Sequence, residues 1–337
     1  MSKKGLEGNI LENFKNNTLV RKLGFNRIVL FGVLVVMYIA FAILSPSFLS
    51  YARVLSALNY AYFLGFLAFG VTFVIATGGI DFSIGPVMFA ASLISGQLLT
   101  QNGWPLILCL IVSIFVGACF GMLNGFFVAY CGLPSFITSM ASMQLAKGLG
   151  AVFTKTQSVS WPQGVEANGW YRNFVSIRIG TTQIPVGLIV LLIAAVIFSA
   201  ILTKTRAGRY ILCIGSNREA VRLSGVDVRK WEMLAYIICG TCAGISAIFY
   251  VSAYTTVQPG LGDTFNNEAI AGCVMGGTSM AGGLASIGGS FIGVMIIALL
   301  QEGILAMGFQ KDYQYLITGI IVIIAVYADI RSRRRRN

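Results

Sequence analysis

The sequence contains no histidine, so the commonest general base and the commonest metal ligand are both missing. Charge is scarce as well: Asp, Glu, Lys and Arg make up 11% of the 337 residues, against roughly 25% in a soluble globular domain. Water alone could not solvate a surface that poor in charge. Acidic residues are the scarcer sign, 12 against 24 Lys and Arg, and they form no credible carboxylate pair. No Walker A sequence occurs, so the chain does not hydrolyse ATP by that route and is not expected to be an enzyme. Seven cysteines are spread through apolar segments or a basic loop, with no disulfide framework. Cys239 and Cys242 have CxxC spacing, but in apolar surroundings without a charged activator, and all seven are expected to be small buried apolar residues.

What is abundant is continuous apolar sequence. Hydrophobic residues make up 56% of the chain and the mean hydropathy is +0.80. Runs of about 17 or more apolar residues recur, each long enough to cross a hydrocarbon core about 30 Å thick at 1.5 Å per helical residue. The runs do not alternate with period two, which excludes a β-barrel. An all-α, polytopic transmembrane bundle of about ten helices is expected. The first run, Ile28–Leu44, lacks a small-residue cleavage site and is followed by Ser45-Pro46, so it reads as a retained signal-anchor helix. Further spans fall near 54–77, 84–100, 105–130, 134–153, 184–202, 233–252, 268–276, 287–300 and 313–330. Residues 1–27 form a cytoplasmic N-terminal segment, 28–330 the membrane domain, and 331–337 a basic tail.

The basic charge is distributed by side. Of the 24 Lys and Arg, only Arg53, Lys155, Arg172, Arg178 and Lys311 fall in outside loops, and Lys147 lies within a span. The other eighteen fall inside if both termini are cytoplasmic, which is the positive-inside pattern. The charge therefore needs no nucleic-acid partner, and the closing Arg331-Ser332-Arg333-Arg334-Arg335-Arg336 suits anionic lipid headgroups. Two loops are long: 154–183 outside, with Trp161, Trp170 and Tyr171, and 203–232 inside, with seven basic residues.

Two glycine-rich interruptions stand out. Gly78-Gly79-Ile80-Asp81-Phe82-Ser83-Ile84-Gly85-Pro86 ends one helix and starts another, with Asp81 or Ser83 as cap and Pro86 in the first turn. Asp81 is either an interfacial cap or part of a broken helix lining a wetted path. From Gly276 to Gly293 there are seven glycines in eighteen residues, including pairs at 276, 282 and 288, without the Lys-Ser/Thr that a phosphate loop requires. Close helix packing and an exposed broken backbone both remain open for it. The shared Gly-Gly opening hints at an internal repeat. Other polar groups near membrane depth are Asn124, Gln144, Glu268, Thr278, Ser279 and Lys147, the last expected to snorkel outward. Asn266 or Asn267 is expected to cap the helix that follows.

In the inside loop, Asn217 is a good N-cap, Glu219 lies in the first turn and Gly225 stops the helix. A helix of about two turns is marginal in water unless something packs against it. A solvated connection is the alternative.

Gly78–Gly85, Pro134-Ser135-Phe136-Ile137-Thr138, Gly208-Arg209, Asn217–Val226 and Gly276-Gly277-Thr278-Ser279 through Gly282-Gly283 occur in an order that resembles the ribose-type, or monosaccharide, ABC importer permeases. The resemblance covers roughly residues 50–330, with Phe82, Cys213 and Ser216 as departures. It implies a permease of the bacterial inner membrane, working by alternating access beside a cytoplasmic ABC ATPase that carries ATP-Mg. It also implies an extracytoplasmic solute-binding protein and a second permease copy, identical or similar. The permease itself would hold no cofactor. By resemblance, Gly208, Arg209, Asn217, Arg218, Glu219, Ala220, Arg222, Leu223, Ser224 and Gly225 form the coupling element, with Val221 and Leu223 buried in the ATPase. Asp81, Ser83, Asn124, Phe136, Gln144, Glu268, Thr278 and Ser279 are the candidate path residues. The superfamily handles pentoses, hexoses, nucleosides and branched-chain amino acids. A proton- or sodium-coupled transporter would instead favour several intramembrane acids, and only Asp81, Glu268 and Glu302 come near.

The charge bias predicts that a single cysteine at Ser158, in a cysteine-free chain, reacts with an impermeant thiol reagent added outside, and that one at Ser216 does not. The reverse labelling pattern would overturn the topology.

Overall fold

The computed structural model describes residues 25–163, 168–180, 182–310 and 312–334. The expected N-terminal segment up to residue 24, Lys311 and the last tail residues, 335–337, lie outside them. The helices are α1 Phe25–Leu44, α2 Tyr51–Ala76, α3 Ile84–Thr100, α4 Leu106–Ala129, α5 Ser135–Phe153, α6 Val186–Lys204, α7 Arg206–Ser216, α8 Arg218–Leu223, α9 Val228–Ala253, α10 Asp263–Met275, α11 Ile287–Ala306 and α12 Asp312–Arg334. Five of them, α2, α4, α6, α9 and α11, are long and apolar enough to cross a membrane, and the apolar stretches of α1 and α3 are slightly shorter.

Prolines mark the boundaries as their fixed φ requires. Pro105, Pro134 and Pro185 each occupy the N-cap position of the helix that follows, and Pro46 opens a 3-10 turn directly after α1. The connection is not wholly helical. Strand β1 (Val159–Ser160) pairs antiparallel with β4 (Thr256–Val257), and β2 (Ile177–Ile179) with β3 (Thr182–Ile184). These short ribbons correct the all-α expectation in detail. They arise where the 154–183 loop and the α9–α10 connection need backbone partners outside any helix.

Helix α2 is the axis of the bundle, almost wholly buried between α9, α11, α10 and α6. Against α9 lies α4, through a ladder of small residues. A Cβ at Gly117 would come within 2.2 Å of the Gly240 carbonyl, and one at Gly121 within 2.4 Å of the Tyr236 carbonyl. Spaced four apart, Gly117, Gly121 and Gly125 let two backbones touch, which is how helices associate where lipid removes the hydrophobic drive. In contrast, α6 turns Ile189, Leu192, Ile193, Val196 and Ile197 outward, a face suited to lipid. Cys109, Cys239, Cys242 and Cys273 are buried as expected, whereas Cys119, Cys131 and Cys213 are exposed. The 154–183 loop is anchored on the bundle: Trp161 donates its Nε1–H to the Ser92 carbonyl at 3.2 Å, and buried Tyr171 packs on it and donates to the Pro162 carbonyl.

Candidate functional site: two helix breaks and the helical loop joined to them

Helices α2 and α10 end in the same way. After α2, Gly78 adopts φ +86°, its N–H donates to the Ile75 carbonyl, and Gly79 N–H reaches back to Val74. After α10, Gly277 adopts φ +87°, donates to Val274, and Thr278 N–H reaches back to Cys273. Both are Schellman closures, which place glycine at the left-handed position because a Cβ there is costly. The paired glycines thus close two helices alike, and Gly308 closes α11 in the same way.

After the first break the chain runs extended to α3, and its polar groups turn into the protein. Asp81 is 1% exposed. Its Oδ1 accepts from the Ser83 N–H at 2.8 Å and the Ser83 hydroxyl at 2.6 Å, while Asn124 Nδ2 donates to Ser83 Oγ at 2.9 Å and Asp81 Oδ2 at 3.3 Å. Ser142 donates to Asn124 Oδ1 and closes the network. Neither Asp81 nor Ser83 caps α3 through its side chain. The cap comes from another helix: Asn266 Oδ1 accepts from Gly85 N–H at 2.6 Å, and its Nδ2 donates to the Phe82 carbonyl at 2.5 Å. Asn266 and Asn267 therefore do not cap their own helix, which starts at Asp263, but Asn266 ties the two interrupted segments together.

The second break folds beneath the first. Thr278 Oγ1 accepts from Ser286 N–H at 3.3 Å, Ser279 N–H donates to Leu284, and both residues are buried. Gly283 N–H donates to the Ala76 carbonyl at 3.0 Å, joining break to break. The end of α7 is packed into that joint. A Cβ at Gly215 would meet the Ala76 carbonyl at 2.0 Å and the Gly283 nitrogen at 2.5 Å. This helix, absent from the expectations, is capped by Thr205, whose Oγ1 accepts from Gly208 N–H at 3.2 Å. Gly208 is needed there, since a Cβ would collide with the Leu202 carbonyl at 2.1 Å. Arg209 donates to the Lys204 carbonyl at 2.9 Å.

Helix α8 follows the expected signals: Asn217 Oδ1 accepts from Ala220 N–H at 3.0 Å, and Gly225 has φ +77°. Ser224 donates its hydroxyl back to Ala220. Arg218 forms a two-pronged pair with Glu232 at 2.7 Å per contact, and Arg222 holds Glu219 at 2.5 and 3.0 Å. The hydrogen bond from Arg222 pushes the Glu219 carboxyl below its ordinary range, and the one to Glu232 pushes the Arg218 guanidinium further up. One expectation is corrected. Val221 is not free for a partner, because it packs with Ile214 and Val228 inside the chain. Leu223, 77% exposed, remains the outward apolar residue.

Beside the two breaks lies a groove of about 530 Å³, lined by Ile80, Phe82 and Met280 from the breaks, by Thr264, Asn267 and Glu268 from α10, and by Tyr315 and Thr318 from α12. Phe136 and Gln144 are exposed on α5, and Phe136 stacks edge-on against Phe82 at 5.8 Å. Lys147 does not snorkel freely but pairs with Asp263 at the start of α10. Of the eight candidate path residues, Glu268 lines the groove, Phe136 touches it through Phe82, and Gln144 lies on the exposed face of α5. Asp81, Ser83, Asn124, Thr278 and Ser279 are buried in the wall behind it.

Five helices long and apolar enough to cross a membrane, with interrupted segments packed between them, define a multi-pass membrane protein. The chain belongs to the family described as branched-chain amino acid transport system / permease component, which matches residues 53–326. It is 34% identical to the ribose import permease protein of Bacillus subtilis (strain 168), over 88% of this chain and 90% of that one. It is 31% identical to the fructose import permease protein of Rhizobium meliloti, over 88% and 83%. The xylose transport system permease protein of Escherichia coli (strain K12) is 30% identical, over 86% and 87%. No solved structure matches the chain.

Replacing Asn266 by Ala strands the Gly85 N–H and the Phe82 carbonyl, at about 1–3 kcal/mol for each buried group left unpaired. The purified variant is expected to melt several degrees lower in detergent. An unchanged melting temperature would show that the cross-link does not hold the breaks together.

Proposed function

We propose that the chain is the membrane-spanning subunit of a bacterial ABC importer for a monosaccharide, moving its solute by ATP-driven alternating access. The observation that carries the mechanism is the joint at Gly215, where a cytoplasmic helix is seated on both helix breaks. The monosaccharide class rests on relatives named for ribose, fructose and xylose, with the chain covering most of each. The ten helices α1–α6 and α9–α12 each cross or enter the membrane, with both termini and residues 203–232 cytoplasmic. This reading follows the charge bias and puts α7 and α8 on the inner side.

The groove is half of the solute path. At membrane depth, polar side chains are tolerated where they face water or protein rather than lipid. Asn267, Thr264 and the Lys147–Asp263 pair share the exposed side of α10, next to Gln144 on α5. A second copy of the chain, or a similar permease, closes the path from the opposite side. Asp81, Ser83, Asn124, Thr278 and Ser279 hold the wall in shape, and Glu268 and Phe136 face the solute. The solute-binding protein docks on the external ribbons and the 154–183 loop, and ATP-Mg acts on the partner ATPase alone.

Coupling runs through α7 and α8. Gly208 and Arg209 start α7, Asn217 and Gly225 bound α8, and Ala220 and Ser224 fix its last turn. Arg218 ties α8 to α9 through Glu232, so the loop moves as a rigid piece rather than as a solvated strap. Leu223 offers the apolar anchor, with Glu219 and Arg222 at its rim.

Truncating a buried interface anchor typically costs on the order of 2 kcal/mol, and a rim charge costs less. Leu223→Ala is therefore expected to weaken ATPase association in a detergent pull-down and to abolish solute-stimulated hydrolysis at normal permease levels. Arg222→Glu is expected to act more weakly and with salt dependence. Full transport after replacing 217–225 by a Gly-Ser linker would exclude the coupling role.

A further inference from the structure

The inner wall of the groove carries more hydrogen-bonding capacity than the protein itself uses. Glu268 is 2% exposed and receives the Tyr60 hydroxyl on one oxygen and Gln314 Nε2 on the other, at 3.3 Å. Three helices, α2, α10 and α12, thus converge on one carboxylate that also borders the groove. On α12, Gln314 and Thr318 are one turn apart and face the same way. Both are at least nine-tenths buried, and Gln314 Oε1 and Thr318 Oγ1 have no hydrogen-bond partner among the described residues. Two orphaned polar atoms next to a carboxylate are an unusual cost in a folded interior, and such groups call for a ligand or ordered water.

We propose that this wall is a recognition site for a polyhydroxylated solute within the permease itself, an inference that rests on reading the groove as the solute path. Glu268 and Thr318, which border the groove, meet solute hydroxyls, Glu268 as acceptor and Thr318 as donor or acceptor, while Gln314, fully buried behind them, holds Glu268 in place. Asn267 and Thr264, one turn apart on α10, complete the polar side. Phe82 and Met280 from the breaks, with Ile270 on α10, supply an apolar surface that matches the C–H face of a sugar ring. The volume of about 530 Å³ falls within the range of roughly 300–1,000 Å³ usual for small-molecule sites. The same chemistry disfavours an amino acid. Its α-carboxylate would need a cation, and no Lys or Arg is among the residues lining the groove, whereas Glu268 would repel it.

The test uses the complete transporter in proteoliposomes, with its ATPase and binding protein, and D-ribose, D-xylose, D-fructose and L-leucine as probes. Thr318→Val keeps the shape and removes the hydroxyl, and Glu268→Gln keeps the size and removes the charge. Each variant is expected to lower uptake of the transported sugar about tenfold, while binding-protein-stimulated ATP hydrolysis continues, because a site built for hydroxyls loses its discrimination when a partner is removed. Wild-type sugar uptake in both assembled variants, or efficient L-leucine uptake, would overturn the proposal. A separate arm tests the path. Asn267→Cys in a cysteine-free chain is expected to lose uptake after treatment with a hydrophilic thiol reagent. Blocked Asn267→Cys beside unaffected Thr318→Val and Glu268→Gln would leave the path standing and sink only the recognition site. Unblocked uptake after complete labelling would sink the path reading and the site with it.

Discussion

One backbone contact holds together the central helix, the second glycine-rich segment and α7. The carbonyl of Ala76, at the end of the central helix, accepts the N–H of Gly283, and Gly215 is seated against both at distances that exclude a Cβ. Backbones in such contact are stiff, because no side chain is available to change rotamer and absorb a displacement. A push on α7 therefore reaches α2 and the second break together. The Schellman closure at Gly78 follows the helix end that meets the second glycine-rich segment there, and the same closure at Gly277 ends α10 sharply within apolar surroundings.

The remainder of the inner structure protects that joint. The Asp81–Ser83–Asn124–Ser142 network and the Asn266 clamp pair polar groups that would otherwise be stranded where the helices are interrupted. Beside the joint, the Arg218–Glu232 pair and the Ile214, Val221, Val228 cluster fix α8 on α7 and α9. Broken helices thus line a groove without loose backbone, and α7 and α8 are packed firmly against them.

Much of this was legible in the sequence, and for definite reasons. Apolar run length located the helices, since hydrophobic thickness sets their size, and prolines at 105, 134 and 185 marked where they begin. The signals for α8 lie in single residues, Asn217 and Gly225, which bound the helix. The Gly117-Gly121-Gly125 spacing is equally legible as the close contact of α4 with α9. Other features depended on contacts far apart in sequence. That Asn266 caps α3 instead of α10 follows from packing that brings residue 266 to residue 85. Val221 faces inward because α7, rich in charge at its start and therefore read as loop, supplies Ile214 for it to cover. The orphaned atoms of Gln314 and Thr318 could not be seen at all until α12 was placed beside Glu268.

The central claim is that the joint at Gly215 transmits motion between the cytoplasmic loop and the broken helices. Its most direct test is the number of solute molecules imported per ATP hydrolysed by the assembled transporter carrying Gly215→Ala. One methyl group there must displace the Ala76 carbonyl or the Gly283 backbone, and overpacking of that kind costs about 1–3 kcal/mol. The account predicts that the ratio falls about tenfold or more, in line with that cost, while the ATPase stays bound and continues to turn over. An unchanged ratio in a correctly assembled Gly215→Ala transporter would contradict it.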